Sequence, residues 1–150
     1  MWEVNIYTWT NFKGIKKRNG AVAYVIEVLV DGTPRTREDV LALEDVTPHT
    51  AELTVLIEAL KRMTKKSRLT IYTDSPYVAA GYNAGWVVGW KANDWKNVKG
   101  NEVSNRQQWE ELDKLLEGHE EYVFKVGEPH SYRMWLEREV ERKAKENENV

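Results

Sequence analysis

Asp74 is the residue whose position most strongly indicates chemistry, because it follows a short apolar strand and precedes a helix. Residues 69–73 read Leu-Thr-Ile-Tyr-Thr, an alternating β-branched and aromatic pattern that predicts a strand. Ser75 and Pro76 then supply a hydroxyl N-cap and a proline at the first helical position. An acid at the carboxyl end of a strand lies where open α/β sheets bind ligands. The alternative is an acid that only complements the positive end of the helix.

Glu52 is a second carboxylate with an unusual predicted position. Thr47 and Pro48 form another hydroxyl–proline helix start, and the helix that follows carries an apolar stripe. At about 100° per residue, Glu52 falls on this stripe with Leu56 and Met63. An acid near a helix start complements the helix dipole, but that role does not require an inward direction. The sequence therefore predicts an inward-facing carboxylate here.

Tryptophans interleaved with lysines indicate a surface that could contact nucleic acid. Four of the seven tryptophans fall between Trp86 and Trp109. Basic side chains among stacking aromatic groups suit a nucleic-acid backbone and its bases. The predicted binding residues are Trp90, Lys91, Trp95, Lys96, Lys99 and Arg106. Trp86 and Trp109 are expected mostly in the core, and packing between helices is the alternative for the other two tryptophans.

The elements that must position these residues form an α/β pattern. The predicted strands are residues 2–9, 21–29, a weaker third within 35–43, 69–73 and 121–126. Asn19 and Gly20 give a hairpin signal between the first two strands. The first three strands form an antiparallel meander, and a right-handed helical crossover lays the fourth strand parallel to the first. The predicted fold is a five-stranded mixed sheet, with a three-strand antiparallel meander and then two parallel strands, flanked by helices.

Helices fill the rest of one predicted domain, residues 1–150. Ser104 and Gln107 form a capping-box pattern that opens one helix, and Ser131 is expected to cap the last. A chain of this length without a linker or repeat favours a single domain. The charged tail, residues 143–150, is expected to fray.

The composition limits the classes of partner and compartment. The 22 basic and 24 acidic residues give a formal charge of −2, so nucleic-acid binding must come from a local patch. Cysteine is absent, which fits a reducing compartment and removes disulfides and thiolate metal sites. No apolar run approaches the roughly 20 residues of a membrane span, and the start has no signal-peptide pattern. We therefore expect a cytoplasmic domain that does not bind a membrane.

The order of elements and three motifs resemble ribonuclease H of the type 1 kind over nearly the whole chain. Residues 73–78, Thr-Asp-Ser-Pro-Tyr-Val, are similar to the family's Thr-Asp-Ser-x-Tyr-Val after the fourth strand. Residues 51–53, Ala-Glu-Leu, match the start of the first helix, and the spacing from Trp86 to Trp109 looks like the family's region with a basic protrusion. The resemblance implies a family that cleaves the RNA strand of RNA–DNA hybrids, using four carboxylates that hold two Mg²⁺ ions.

Carried over position by position, the resemblance matches Asp74 and Glu52 to two of the four acids. Glu137 in the last helix is the best candidate for the fourth acid, since it lies beside that helix's apolar stripe. The first acid is absent: the family's opening strand ends in Thr-Asp-Gly-Ser, whereas residues 8–11 read Thr-Trp-Thr-Asn. Trp9 stands at the aspartate's position, and an indole offers no oxygen lone pair to a metal.

The resemblance therefore implies a ribonuclease H-like protein that acts on or binds RNA–DNA hybrid or other nucleic acid, with catalysis impaired by Trp9. The implied catalytic and metal-binding residues are Glu52, Asp74 and Glu137. The implied cofactor is Mg²⁺ or Mn²⁺, bound weakly or not at all if the site does not function. One alternative is an active Mg²⁺- or Mn²⁺-dependent ribonuclease H built on these three acids. Another is a non-catalytic scaffold that binds a protein partner.

Overall fold

The structure, a computed structural model, describes residues 2–148 and confirms the predicted α/β pattern. Its elements in chain order are β1 Trp2–Thr10, β2 Arg18–Val30, β3 Thr33–Val46, α1 Pro48–Lys61, β4 Ser67–Thr73, α2 Pro76–Asn83, α3 Trp86–Ala92, α4 Arg106–Glu117, β5 Glu121–Val126 and α5 Arg133–Glu148. Across residues 2–148, no helix is long and apolar enough to cross a membrane.

A mixed sheet in the order β3-β2-β1-β4-β5 forms the centre of the fold. β2 pairs antiparallel with both β1 and β3, which is the predicted meander. β4 pairs parallel with β1, from Trp2 opposite Ser67 to Tyr7 opposite Tyr72, and β5 pairs parallel with β4. The carboxyl ends of β1 and β4 therefore lie side by side, and this edge of the sheet carries the candidate site.

The face of the sheet under α1 carries the larger apolar core. α1 begins after Thr47, whose hydroxyl accepts a 3.2 Å hydrogen bond from Thr50 N, as the cap signal predicts. Leu56 on α1 and Trp109 on α4 are fully buried. A Cβ atom at Gly81 would lie 2.4 Å from Trp109 Cη2, so α2 can pass this close to the indole only because residue 81 is glycine. This dense packing fixes α1, and the side chains it carries, over the sheet.

The opposite face is covered by α5 through a smaller contact that mixes aromatic and polar groups. The ring of Tyr7 lies 4.5 Å from that of His130 and 5.0 Å from that of Tyr132. Glu27 accepts hydrogen bonds from the Tyr132 hydroxyl at 2.5 Å and from Asn5 Nδ2 at 3.0 Å. Although burial acts in the opposite direction, these hydrogen bonds lower the pKa of Glu27. Because Tyr132 immediately precedes α5, its hydrogen bond to Glu27 sets where this helix begins on the sheet.

The hairpin predicted at Asn19 and Gly20 is wrong. Both residues lie inside β2, and residues 11–17 form the connection between the first two strands. Ala21 N donates a 2.8 Å hydrogen bond to Asn11 Oδ1, and a Cβ atom at Gly20 would lie 2.4 Å from the same oxygen. The glycine therefore allows a close approach of two segments and does not make the turn.

The helix starts predicted at Ser104 and Ser131 are both displaced. α4 follows Asn105, whose side-chain oxygen accepts a 2.6 Å hydrogen bond from Thr50 Oγ1 instead of capping its own helix. α5 begins at Arg133. In both cases a side chain next to the boundary bonds to a distant part of the chain, Asn105 to α1 and Tyr132 to β2.

The charged tail is helical for most of its length. α5 continues past Lys143, where the charged tail begins, and its described part reaches Glu148. That this tail frays stays a prediction. An i,i+4 ion pair between Lys145 and Glu141, with an N–O distance of 3.2 Å, supports this last part of the helix. Residues 149 and 150 of the predicted tail lie outside the described residues.

Candidate active-site cleft and nucleic-acid interface

A cleft of about 360 Å³ opens where the carboxyl ends of β1 and β4 meet the amino end of α1. Glu52 and Asp74 both line it, so the fold brings together the two carboxylates that the sequence places on different elements. Ser75 Oγ accepts a 3.3 Å hydrogen bond from Val78 N, which confirms the predicted helix start directly after Asp74. The rest of the lining includes Thr8, Trp9, Phe12, Lys13, His49 and Tyr77.

The Glu52 side chain is buried at the inner end of this cleft, as its place on the apolar stripe predicts. Its Oε1 accepts hydrogen bonds from Thr73 Oγ1 at 2.6 Å and from Thr8 Oγ1 at 2.8 Å. Burial raises the pKa of Glu52 to about 7, an effect that the two hydrogen bonds oppose and the charge of Asp74 increases. The carboxyl group can therefore gain or lose a proton near neutral pH.

Asp74 is paired with a cation from α5. Arg133 Nη1 lies 3.4 Å from Asp74 Oδ2, and Arg133 Nε lies 2.7 Å from Glu137 Oε1. Arg133 and Glu137 are four residues apart and so share one side of the helix. Glu137 lines a neighbouring groove of about 570 Å³ and not the cleft that holds Glu52. The guanidinium thus joins two of the predicted acids.

Trp9 separates the cleft from that groove, since its side chain lines both. The Arg133 Cζ atom lies 4.2 Å from the centroid of the Trp9 ring, which is a cation–π contact. The sequence predicts a special position for Trp9 but none for Arg133. The signal that could have found it is a basic residue four positions before Glu137, a spacing that forms ion pairs on a helix.

These groups do not fit a pair of Mg²⁺ ions. Within residues 2–148, no group of three or more His, Cys, Asp or Glu side chains is placed to hold a metal ion. Mg²⁺ requires octahedral oxygen coordination. Trp9 offers no oxygen, Glu137 faces the neighbouring groove, and a guanidinium lies against Asp74. The cleft therefore brings two of the four carboxylates implied by the resemblance into one place.

His49 and Tyr77 add a flat aromatic surface to the cleft. Their rings stack with centroids 3.7 Å apart and planes 8° from parallel. Burial lowers the pKa of His49, which favours the neutral form of its imidazole. This pair was not predicted, because only the fold brings the start of α1 next to the start of α2.

Two of the four tryptophans between Trp86 and Trp109 are placed differently from the prediction. Trp86, expected in the core, is 39 % exposed, whereas Trp95, expected to offer a stacking surface, is 9 % exposed. Trp95 has a positive φ of 59°, and its N–H donates a 2.6 Å hydrogen bond to Trp90 O, which folds this residue back onto the core. Trp109 is buried as predicted. Trp86 and Trp90 line a groove of about 660 Å³ that also includes Lys96.

The four basic residues predicted for this surface fall into two pairs. Lys91 and Arg106 are surrounded by carboxylates, and their charges are largely compensated. Lys96 and Lys99 are exposed and form no ion pair with any residue from 2 to 148. The acidic partners are Asp113 and Glu117 for Lys91, and Asp94, Glu102 and Glu110 for Arg106. The uncompensated positive charge therefore lies at Lys96 and Lys99.

The strand order, with Asp74 after β4 and Glu52 on α1 in one cleft, defines the class of this protein as an α/β domain with the ribonuclease H-like fold. A solved structure with this fold is LC9-RNase H1, described as a type 1 RNase H with the type 2 active-site motif. It has a TM-score of 0.76 and 21 % identity, over 96 % of this chain and 72 % of that one. LC11-RNase H1, solved in complex with RNA/DNA hybrid, has a TM-score of 0.62 and 14 % identity, over 96 % of this chain and 98 % of that one.

Sequence comparison gives the family. The profile described as RNase H matches residues 3–145. A ribonuclease H of Clostridium botulinum (strain Hall) is 36 % identical over 126 residues, which cover 84 % of this chain and 83 % of that protein. This chain belongs to the ribonuclease H family.

Proposed function

We propose that this chain is a ribonuclease H-like domain that binds RNA–DNA hybrid or another nucleic acid but does not cleave RNA by the two-metal route of its family. Family membership and the fold support a nucleic-acid partner. The relative LC11-RNase H1 was solved with RNA/DNA hybrid. The loss of cleavage rests on one observation: the indole of Trp9 stacks on the Arg133 guanidinium where the family's first metal-binding aspartate is expected.

The chemical reason for the proposed loss of cleavage is the number and kind of metal ligands. A two-metal site activates the attacking water and stabilises the leaving oxygen, and both effects depend on oxygen ligands that hold the ions in place. In this chain Trp9 supplies none, and Glu137 pairs with Arg133. Glu52 and Asp74 are then only two of the four metal-binding acids of the family. We infer that they, with Glu137, are remnants of a catalytic and metal-binding centre.

The proposed binding surface combines Trp86 and Trp90 with Lys96 and Lys99. Partly exposed indoles can stack on bases, and unpaired lysines can contact phosphates. Of the other residues predicted for this surface, Lys91 and Arg106 contribute less because acids surround them, and Trp95 supports the surface from the core.

Salt dependence of binding tests the nucleic-acid proposal. Affinity for a labelled RNA–DNA hybrid should fall steeply with salt, and the double variant Lys96→Glu/Lys99→Glu should reduce the slope of log K against log salt by about 2, or roughly one for each lost phosphate contact. The control is Lys65→Glu/Lys66→Glu, which reverses the same number of charges in the loop that precedes β4 at the other end of the sheet, where Lys66 pairs with Glu120. No binding, or a slope that the two double variants change equally, would overturn this surface and favour the scaffold with a protein partner.

A cleavage assay tests the loss of catalysis. The wild-type protein should leave the RNA strand of a labelled hybrid intact in Mg²⁺ and in Mn²⁺, as should the Asp74→Asn variant. If the wild-type protein cleaves and Asp74→Asn does not, the chain is an active ribonuclease H with a rearranged site, and the first proposal is wrong. We further propose that residues 1–150 act as a single domain in the cytoplasm, consistent with the continuous sheet and the absence of cysteine.

A further inference from the structure

Arg133 makes three contacts around the position between the carboxyl ends of β1 and β4. Its guanidinium lies 3.4 Å from Asp74, 2.7 Å from Glu137 and 4.2 Å from the centroid of the Trp9 ring. Guanidinium groups suit such a place, because they are always charged, planar and able to donate several hydrogen bonds while stacking on an aromatic face. We propose that Arg133 is a built-in cation that takes the place of a divalent metal in this site.

The segment immediately before Arg133 is held against the sheet by two contacts. The residue before it, Tyr132, donates a 2.5 Å hydrogen bond to Glu27, and His130 packs 4.5 Å from the Tyr7 ring. The backbone N–H of Tyr132 also donates to His130 Nδ1 at 3.2 Å. The start of α5 is therefore anchored on β1 and β2, and this anchoring brings Arg133 to Asp74 at the end of β4.

A metal ion and this guanidinium would compete for the same oxygens. An ion bound by Asp74 would lie about 2.0–2.1 Å from a carboxylate oxygen. Arg133 Nη1 approaches that carboxylate at 3.4 Å, so the two like charges would repel each other across a few ångströms. Trp9 supports the guanidinium and adds no ligand for the ion. The arrangement thus favours an internal cation over an external one.

Two consequences follow, and the second depends on the function proposed above. The folded protein gains nothing from Mg²⁺ or Mn²⁺, because Arg133 already compensates the acids. If the domain binds hybrid, it binds equally well in EDTA and in Mg²⁺, apart from the general effect of ionic strength.

The first consequence is tested without nucleic acid, by thermal unfolding with and without millimolar Mn²⁺. The wild-type Tm should not respond specifically to Mn²⁺. Arg133→Gln should lower the Tm by roughly 2–4 °C. Mn²⁺ should restore at least half of this loss. The control is Arg142→Gln on the same helix, which removes an exposed pair with Glu139 and should not respond to Mn²⁺.

Direct Mn²⁺ binding separates the effect of Arg133 from that of Trp9. Binding is measured as the loss of the free-ion electron paramagnetic resonance signal. Trp9→Asp alone should bind no Mn²⁺, because the new carboxylate pairs with Arg133. Trp9→Asp/Arg133→Gln should bind it. The proposal would be overturned by Mn²⁺ binding to the wild-type protein or to Trp9→Asp alone. It would also be overturned if Mn²⁺ did not change the stability of Arg133→Gln. Since these measurements use no hybrid, their failure is distinguishable from failure of nucleic-acid binding.

Discussion

The two faces of the sheet hold their helices by different means. Under α1 the contacts are mostly apolar, with Leu56 and Trp109 fully buried, and the hydrogen-bonded Glu52 is the buried polar exception. Under α5 the apolar part is small. The hydrogen bond from Tyr132 to Glu27 ties the start of the helix to β2, and Asn5 holds the same carboxylate from β1. An apolar core positions a helix through shape and volume, whereas a polar network positions it through charge and direction. The cleft lies where these two kinds of support meet.

The buried or half-buried acid on each face responds oppositely to pH. On the α1 face, burial raises the pKa of Glu52 to about 7. On the α5 face, hydrogen bonds lower the pKa of Glu27 despite its partial burial. The first carboxyl therefore weakens the fold when it loses its proton, and the second stabilises the fold when it is charged.

The largest expected effect comes from the apolar face. Leu56→Ala removes a fully buried side chain and should cost about 2–5 kcal/mol of the free energy of unfolding, because the packed surroundings cannot fill the cavity. Denaturant unfolding at pH 7 measures this loss. A cost below 1 kcal/mol would mean that this face is no more rigid than the other.

For Glu52→Gln we expect a smaller change in the free energy of unfolding, in the opposite direction. Between about pH 4.5 and 7 the folded wild-type protein binds more protons at Glu52 than the unfolded chain does, so its stability falls as the pH rises. The glutamine cannot ionise, and its stability relative to wild type should therefore increase by up to about 3 kcal/mol between pH 4.5 and 8.

Denaturant unfolding across this pH range gives the comparison. Glu58→Gln, a half-exposed position on the same helix, is the control and should follow the wild-type curve. Parallel curves for wild type and Glu52→Gln would contradict the raised pKa.

The smallest effect is expected on the α5 face. Tyr132→Phe removes one hydrogen bond to Glu27 and should cost about 1–2 kcal/mol at pH 7, since Asn5 still donates to that carboxylate. The contribution of Glu27 is present above its unfolded pKa near 4.5 and is lost as the pH falls through its lowered folded pKa, so wild type and Tyr132→Phe should converge in acid.

The matched control is Tyr122→Phe, because the Tyr122 hydroxyl has no hydrogen-bond partner within residues 2–148. Its unfolding free energy should stay within about 0.5 kcal/mol of wild type. Equal losses in the two variants would show that the loss in Tyr132→Phe does not come from the bond to Glu27.

Much of the fold could be predicted because its signals are local. Ser75 and Pro76 fix the helix start after Asp74, and the apolar stripe around Glu52 fixes the inward direction of that acid. Local signals fail where a distant contact is stronger. Gly20 serves a close approach to Asn11 instead of a turn, and the side chain of Asn105 bonds to α1 instead of capping α4.

The candidate site was predictable only in part, for the same reason. Asp74 and Glu52 come from motifs within single elements. The role of Arg133 depends on three elements meeting, since Trp9, Asp74 and Glu137 belong to β1, the end of β4 and α5. Trp86 is exposed and Trp95 is buried, the reverse of the expectation. The burial of Trp95 depends on a positive φ at this residue, which the spacing of the tryptophans does not reveal.

The parallel pairing of β1 with β4 also affects how the chain folds while it is being synthesised. The first three strands can pair as soon as they leave the ribosome, but the other edge of β1 has no partner until β4 is made. Tyr7 and its partner Tyr72 are 72 − 7 = 65 residues apart. At about 5–20 residues per second, that edge stays open for roughly 3–13 s. An open apolar strand edge invites pairing with other chains, so chaperone demand should be greatest in this interval.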